Sequence, residues 1–184
     1  MLGDERSELP LDTIDHILWR RRARGNADRA RAHDPFGSNI RLRLDVVQLH
    51  GDPDARTIED LRRLWNGQVW AVQRVEGSTI PSSALDLFDA ADAVVLDARV
   101  PGKLGGTGVA LDWKALRQKI ESYRARRARL VLAGGLRPEN VSSAVDALHP
   151  DVVDVSSGVE SRIGVKDHDR MRAFRDAVHA VHAR

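Results

Sequence analysis

Cysteine is absent from the 184-residue sequence. Its absence excludes disulfide bonds, thiolate nucleophiles and cysteine-ligated zinc or iron–sulfur centres from the chain. The sequence also has no apolar run near the ~18 residues that a membrane-spanning helix needs. Its beginning lacks the basic-then-apolar order of a signal peptide. We therefore expect a cytoplasmic protein with no membrane partner.

An excess of charge of one sign is missing as well. The 29 basic residues nearly balance the 27 acidic ones, for a formal net charge of +2. This balance does not favour nucleic acid as a partner. The arginine clusters at residues 20–24 and 124–129 are read either as phosphate-binding patches or as solvated helix faces. We favour solvated faces, because arginine supplies most of the positive charge of a chain with only four lysines.

From residue 45 onward, short β-branched apolar runs alternate with segments of helical periodicity. This alternation is typical of βα units around a parallel sheet. Residues 1–44 differ, because they carry one amphipathic helix pattern and a basic segment but no strand pattern. We therefore divide the chain into an atypical N-terminal segment, 1–44, and a βα domain, 45–184. The predicted strands are 45–49, 69–75, 93–97, 130–133 and 152–155, and the predicted helices are 57–64, 82–87, 111–127, 138–148 and 167–182.

The first and the last of these helices carry predictions about their inner faces, from apolar residues at helical spacing. Asp167 is the expected N-cap of the last helix. The side chains predicted to face the core are Ile58, Leu61, Leu64, Met171, Phe174 and Val178.

In a (β/α) barrel or an open parallel sheet, functional side chains gather at the carboxyl ends of the strands, where the connecting loops converge. The last two predicted strands end in Gly134-Gly135 and in Ser156-Ser157-Gly158. Glycines let the backbone approach a ligand closely, and serines add hydroxyl groups and amides, so the two loops together could hold a phosphate group. The alternative is that these glycines only form tight turns.

Candidate side chains also end the first and third strands. Asp97 follows a buried apolar strand, where partial desolvation would raise the pKa of its carboxyl group toward that of a general acid. It could equally cap the next loop. Gln48 and His50 are candidate substrate contacts, although a strand-end histidine is as often structural. A glycine-rich segment, read either as a lid or as a surface connection, consists of Gly105, Gly106, Thr107 and Gly108.

Six motifs occur in one order along residues 45–184. They read DVVQLHGD at 45–52, VLD at 95–97, GGTG at 105–108 followed by LDW at 111–113, LAGGLRPENV at 132–141, VDVSSGVE at 153–160 and GVKD at 164–167. In order and spacing, this set resembles the phosphoribosylanthranilate isomerases, the (β/α)8-barrel enzymes of tryptophan biosynthesis. Each motif alone is weak, whereas the whole set is specific.

The resemblance implies a TIM-barrel fold and an Amadori rearrangement of N-(5-phosphoribosyl)anthranilate to 1-(2-carboxyphenylamino)-1-deoxyribulose 5-phosphate. It implies that Asp97 is the general acid that protonates the ring oxygen as the ribose opens, and that segment 105–108 folds over the substrate. It implies no metal and no organic cofactor. The residues that it assigns to the phosphate group are Gly134, Gly135, Ser156, Ser157 and Gly158.

The beginning of the chain departs from the family pattern. Family members start with a strand that carries a Lys-x-Cys-Gly motif, whose cysteine is the general base, and their second strand supplies an arginine for the anthranilate carboxylate. Neither feature occurs here, and residues 9–18 resemble the family's third helix. We therefore expect a barrel that lacks its first two to three βα units, encoded by a gene whose start lies upstream. Its isomerase activity is expected to be far below that of a complete enzyme.

Three alternatives stay open. An incomplete barrel has open sheet edges, which the N-terminal segment or a second copy of the chain could cover, so a homodimer is one expectation. The chain could instead be a catalytically inactive phosphate-sugar binding module. It could also be another phosphate-binding barrel enzyme, but such an enzyme would carry a catalytic lysine or a metal-binding set on its strands. The lysines here fall in predicted loops or helices.

Overall fold

The computed structural model describes residues 45–77, 79–98, 112–123 and 125–182. Five parallel strands form the main sheet, in sequence order. They are β1, Val46–Leu49; β2, Gln68–Val75; β3, Ala93–Ala98; β4, Arg129–Ala133; and β5, Val152–Val153. The first four strands are followed by α1, Ala55–Leu64; α2, Ala84–Ala90; α3, Trp113–Tyr123; and α4, Val141–Leu148. After β5 come a 3₁₀ turn, Ser157–Val159; an antiparallel hairpin of β6, Glu160–Arg162, and β7, Val165–Lys166; and the last helix α5, His168–His182.

The order of the strands distinguishes between the two parallel architectures. Each neighbouring pair from β1 to β5 is parallel. Because the strand order never reverses, the sheet has no topological switch point of the doubly wound kind. Consecutive parallel strands with a helix after each one are the arrangement of a (β/α) barrel.

Side chains alternate between the two faces of the sheet, as the pleat of a strand requires. On the outer face, Val94 and Leu96 of β3 join a large core with helix residues such as Phe88 and Leu116. Both faces are buried, which explains why the strands are almost continuously apolar. The inner face is a second apolar layer, formed by Val46, Trp70, Val72, Ala93, Val95, Val131 and Ala133.

The inner face of α1 differs from the prediction at one position. Ile58 and Leu61 are buried as predicted, but Leu64 is 55% exposed. The helix ends at Leu64, and the extended residue Trp65 takes the next buried position instead. The prediction for Leu64 was therefore wrong: Leu64 and Trp65 stand three and four residues after Leu61, and the chain buries Trp65 instead of Leu64.

The last helix keeps its predicted N-cap but only part of its predicted face. The Asp167 carboxylate accepts hydrogen bonds from two amides of the first turn, at 2.9 and 3.1 Å, which confirms the cap. Phe174 is buried and Val178 is partly buried against the core. Met171 is 47% exposed, contrary to the prediction. It lies in the first turn, whereas α5 meets α4 further along, around Ala177.

Several predicted boundaries shift. Helix α3 ends at Tyr123 rather than at 127, and residues 138–140 form a turn before α4 instead of its first turn. The β6–β7 hairpin was not predicted at all. In the parts of the chain that the structure describes, no helix is long and apolar enough to cross a membrane. The N-terminal segment 1–44 lies outside the described residues.

Candidate functional site

Asp97 lies on the inner side of the sheet, near the carboxyl end of β3. It alternates with Ala93 and Val95, whose side chains belong to the inner apolar layer. The strand register places Asp97 between Arg74 of β2 and Ala133 of β4. Its half-buried carboxyl group therefore stands where the apolar interior ends and the loops begin.

Arg74 connects this position to the loop after β1. The Asp52 carboxylate accepts a hydrogen bond from the Arg74 amide at 3.0 Å, and its other oxygen lies 3.5 Å from Arg74 Nη1. Gly51 and Asp52 both have positive φ, +81° and +56°, where the chain leaves β1. Sequence reasoning overlooked Arg74 and Asp52. The signal that could have found them is a pair of opposite charges at the ends of two consecutive strands.

The surroundings of Asp97 change its titration. Burial raises the pKa of the Asp97 carboxyl group above its ordinary value of 3.8. The Arg74 guanidinium lowers this pKa again, and the Asp154 and Asp52 carboxylates raise it further. A carboxyl group with a raised pKa keeps its proton at a higher pH than a free aspartate does. This environment suits a side chain that donates a proton.

The loop after β4 is shaped by two glycines and one asparagine. Gly134 and Gly135 have φ values of +80° and +65°, the left-handed conformation that favours glycine. Asn140 Nδ2 donates to the Gly135 carbonyl at 2.9 Å, and Asn140 Oδ1 accepts from the Arg137 amide at 2.8 Å. The two glycines therefore form a tight turn, whether or not they also bind a phosphate group. Asn140, a motif residue to which the sequence analysis gave no role, holds that turn.

The turn after β5 packs directly against this loop. A Cβ atom on Gly158 would collide with the carbonyl group of Leu136, so only glycine lets the two backbones approach so closely. Ser156 and Ser157 immediately precede Gly158 and are exposed. The structure thus brings the two strand-end motifs together, as expected from the convergence of neighbouring parallel strands.

Gln48 and His50 contact each other at the end of β1. Gln48 Nε2 lies 2.9 Å from His50 Nε2, and because an amide nitrogen only donates, the ring nitrogen accepts. The register places Gln48 beside Trp70, four residues before Arg74 in β2, and Gln48 is buried. Gln48 therefore lies deeper in the sheet than Asp97, further from the loops at the carboxyl edge. Half-buried His50 lies closer to these loops.

The candidate lid, Gly105, Gly106, Thr107 and Gly108, lies outside the described residues. Within the described ranges, no group of three or more histidine or acidic side chains is arranged to hold a metal ion.

Comparison with known families decides the affiliation of the chain. The family model described as N-(5'phosphoribosyl)anthranilate (PRA) isomerase matches residues 38–177. The chain belongs to the phosphoribosylanthranilate isomerase family. A relative from Pseudomonas fluorescens (strain Pf0-1), named N-(5'-phosphoribosyl)anthranilate isomerase, is 41% identical over 135 residues, which cover 73% of this chain and 61% of the relative. The chain thus spans about 60% of the length of the curated relatives that it matches.

Solved phosphoribosylanthranilate isomerases share the fold. Mutually generated monomers of the dimeric isomerase from Thermotoga maritima match with a TM-score of 0.59 and 34% identity, over 74% of this chain and 61% of that one. An isomerase in complex with reduced 1-(o-carboxyphenylamino)-1-deoxyribulose 5-phosphate matches with a TM-score of 0.57 and 34% identity, over 74% of this chain and 60% of that one. The fold is therefore of the TIM-barrel type, which confirms the predicted fold class.

Proposed function

We propose that the chain supplies the acid-bearing and phosphate-binding part of a phosphoribosylanthranilate isomerase of tryptophan biosynthesis. The reaction is the Amadori rearrangement of N-(5-phosphoribosyl)anthranilate to 1-(2-carboxyphenylamino)-1-deoxyribulose 5-phosphate. One observation carries the proposal: the half-buried carboxyl group of Asp97, with its raised pKa, stands beside Arg74 at the carboxyl edge of the sheet. The family match argues against the alternative of another phosphate-handling barrel enzyme.

Asp97 acts as the general acid of ring opening. As the bond between the anomeric carbon and the ring oxygen breaks, the Asp97 proton moves to that oxygen, and the nitrogen lone pair forms the C=N bond of a protonated imine, which keeps the proton on nitrogen. The carboxylate left behind is stabilised by the neighbouring Arg74 guanidinium, which favours the charged form of Asp97. Burial thus helps Asp97 to carry the proton, and Arg74 helps it to release the proton.

The next step removes a proton from the second sugar carbon and needs a general base. In the family this base is a cysteine, and the sequence contains none. We therefore expect turnover by the 184-residue chain to be about 10²–10⁴-fold slower than turnover by a relative that has its base.

The phosphate group of the substrate binds where the loops after β4 and β5 meet. Gly134 and Gly135 expose the backbone on one side of this junction. Ser156, Ser157 and Gly158 supply hydroxyl and amide donors on the other side. The close packing at Gly158 supports this assignment, because it holds the two groups of donors at one place.

Further parts of the proposal rest on the sequence motifs. His50, with Gln48 behind it, contacts the substrate, and Gly105–Gly108 fold over it. The chemistry is acid–base throughout and uses no metal and no organic cofactor. The protein works in the cytoplasm, without a nucleic-acid or membrane partner.

The proposal also includes a homodimer. Within the described sheet, β1 and β5 each pair on one side only. The turn of the β6–β7 hairpin presents Ile163 fully to solvent, and Val165 is 40% exposed. Exposed apolar side chains that cluster on a surface mark association sites. The relative from Thermotoga maritima is named as dimeric.

Binding and turnover together test the proposed isomerase function. Reduced 1-(o-carboxyphenylamino)-1-deoxyribulose 5-phosphate is titrated into the wild-type chain and into Asp97→Asn by calorimetry, and substrate conversion is followed by fluorescence. We expect both proteins to bind the analogue within about threefold of each other, and Asp97→Asn to lower the turnover that remains by about 10²–10⁴-fold. A wild-type chain that does not bind the analogue contradicts the proposal. Binding without turnover in either protein indicates the inactive binding module instead.

A further inference from the structure

Lys166 bridges the β6–β7 hairpin and the proposed phosphate loop. Its ammonium group donates to the Ser156 carbonyl at 2.8 Å and to Glu160 Oε1 at 2.9 Å, and it lies 3.3 Å from Ser156 Oγ. Ser156 is one of the two serines assigned to the phosphate group. The sequence motifs gave no role to Lys166, which stands ten residues further along the chain.

Glu160 holds this ammonium group in place. Its Oε2 accepts a hydrogen bond from the Gly164 amide at 3.2 Å, and its main-chain carbonyl accepts one from Arg170 Nη1 at 2.9 Å. The bonds from Lys166 and Gly164 hold the pKa of the Glu160 carboxyl group below its ordinary value. The carboxylate therefore stays ionised at neutral pH, and the hairpin fixes the position of the lysine head group.

The chemistry of an ammonium group determines how this contact affects the Ser156 hydroxyl. An ammonium group has three protons and no lone pair, so it only donates. Its three neighbours here, a carbonyl, a carboxylate and a hydroxyl oxygen, all accept. A hydroxyl that accepts from Lys166 must direct its own proton elsewhere. Because Ser156 is exposed, that proton is available to an anion at the loop junction.

We propose that Lys166 is a positioning residue of the phosphate site, an inference that rests on the proposed isomerase function. Lys166 makes the Ser156 hydroxyl a donor to a phosphate oxygen, and it acts on the phosphate through that hydroxyl. Lys166 is not itself a phosphate ligand, because its three protons are already used. Glu160 acts one step further away, by holding Lys166.

Phosphate affinity tests the role of Lys166. Inorganic phosphate and the reduced product analogue are titrated into the full chain and into Lys166→Met, and the analogue without its phosphate group serves as a third ligand. We expect Lys166→Met to weaken both phosphate-bearing ligands about tenfold, as for a lost charge-assisted hydrogen bond, and to leave the third ligand unaffected. Lys166→Arg keeps the charge and donors and should restore part of the affinity. Glu160→Gln should give a smaller loss of the same kind.

A double-mutant cycle separates positioning from a purely structural effect. If Lys166 acts through Ser156 Oγ, Lys166→Met causes little further loss in a Ser156→Ala background. Lys119→Met removes the same charge from an exposed site on α3 and should leave affinity unchanged. Should Lys166→Met fail to fold, Lys166→Arg and Glu160→Gln replace it. Their losses of phosphate affinity are then measured with and without Ser156→Ala, and they should be smaller in the Ser156→Ala background.

The outcomes distinguish this inference from the proposed function. Wild-type binding of the phosphate-bearing ligands, together with unchanged binding by Lys166→Met or fully additive losses in the cycle, overturns the role of Lys166 and leaves the phosphate site standing. A wild-type chain that binds neither phosphate nor the analogue overturns the phosphate site and the role of Lys166 together.

Discussion

Asp97 titrates in surroundings that favour its neutral form. Burial is the largest influence, and the carboxylates of Asp154 and Asp52 act in the same direction, against Arg74. A group whose pKa is higher in the folded than in the unfolded chain binds its proton more tightly after folding. Folding therefore becomes less favourable as the pH rises through these two pKa values. Above that range, the charged form of Asp97 reduces the stability of the fold.

Asp97→Asn should therefore stabilise the protein at neutral pH while it removes the proposed acid. At a pH below 3.8, Asp97 is largely protonated in both states, and the two proteins should differ little. The stability gained by the variant should grow as the pH rises from there through the raised pKa of the folded state, and then level off. Thermal unfolding followed by circular dichroism across this pH range measures the difference.

Asp54→Asn is the matched control for the titration of Asp97. Hydrogen bonds from the Thr57 hydroxyl and amide hold the pKa of the Asp54 carboxyl group below its ordinary value. Its charged form therefore stabilises the fold, and this contribution is lost as the pH falls through the lowered pKa. Asp54→Asn should accordingly lose stability relative to wild type as the pH rises. The same sign in both variants would contradict the account of Asp97.

Among the secondary-structure elements, two aspartates play the same part at the amino ends of strands. Asp92, just before β3, accepts a hydrogen bond from the Val69 amide of β2 at 2.9 Å, and Asp151, just before β5, accepts one from the Leu130 amide of β4 at 2.7 Å. The amides of the two aspartates in turn donate to the Val69 and Leu130 carbonyls. Each aspartate thus closes the ladder at the start of a neighbouring strand and helps to set its register.

Asp92→Ala should destabilise the protein by about 1–3 kcal/mol, because it leaves the fully buried Val69 amide without a carboxylate partner. It also removes the 2.8 Å ion pair with Arg62. Urea denaturation measures the free energy of unfolding. Asp89→Ala, which breaks an exposed ion pair with Arg126, is the control and should cost less than about 1 kcal/mol. Equal losses in the two variants would count against the special role of Asp92.

The elements of the main sheet could be predicted from apolar periodicity, because both faces of the sheet are buried and turn residues separate the runs. The β6–β7 hairpin could not, since its strands are two and three residues long and mostly exposed. Periodicity also could not choose between Leu64 and Trp65. Both residues stand at helical spacing from Leu61, three and four positions further along. Which of them is buried depends on the extended conformation that the chain takes at Trp65, after the end of α1.

Across the whole molecule, the candidate site could likewise be predicted only where strand positions determine it. Asp97 and the Gly134–Gly135 turn could be named because strand positions determine which residues follow the strand ends. Strand position alone assigns no role to Arg74 or to Lys166. Their surroundings depend on contacts with residues 22 and 10 positions away in the chain, which only the folded arrangement reveals.

At the β5 end of the described sheet, a second copy of the chain could contact either the strand edge or the β6–β7 hairpin. An unpaired strand edge can pair with another strand, but β5 is only two residues long, which limits such pairing. The exposed side chains of Ile163 and Val165 follow shortly after β5, on the hairpin. At this end of the sheet, the hairpin is therefore the better candidate for the proposed dimer contact.

Ile163→Glu should shift the protein from dimer to monomer. The Ile163 side chain is fully exposed in the single chain, so its replacement should leave the monomer fold intact while it places a charge in an apolar contact. Sedimentation velocity over a range of concentrations measures the dissociation. Arg162→Glu changes charge on the same hairpin without removing an apolar side chain, so it should remain dimeric. A wild-type chain that sediments as a monomer at every concentration contradicts the homodimer, and a dimer that Ile163→Glu leaves intact moves the contact away from the hairpin, to the strand edges.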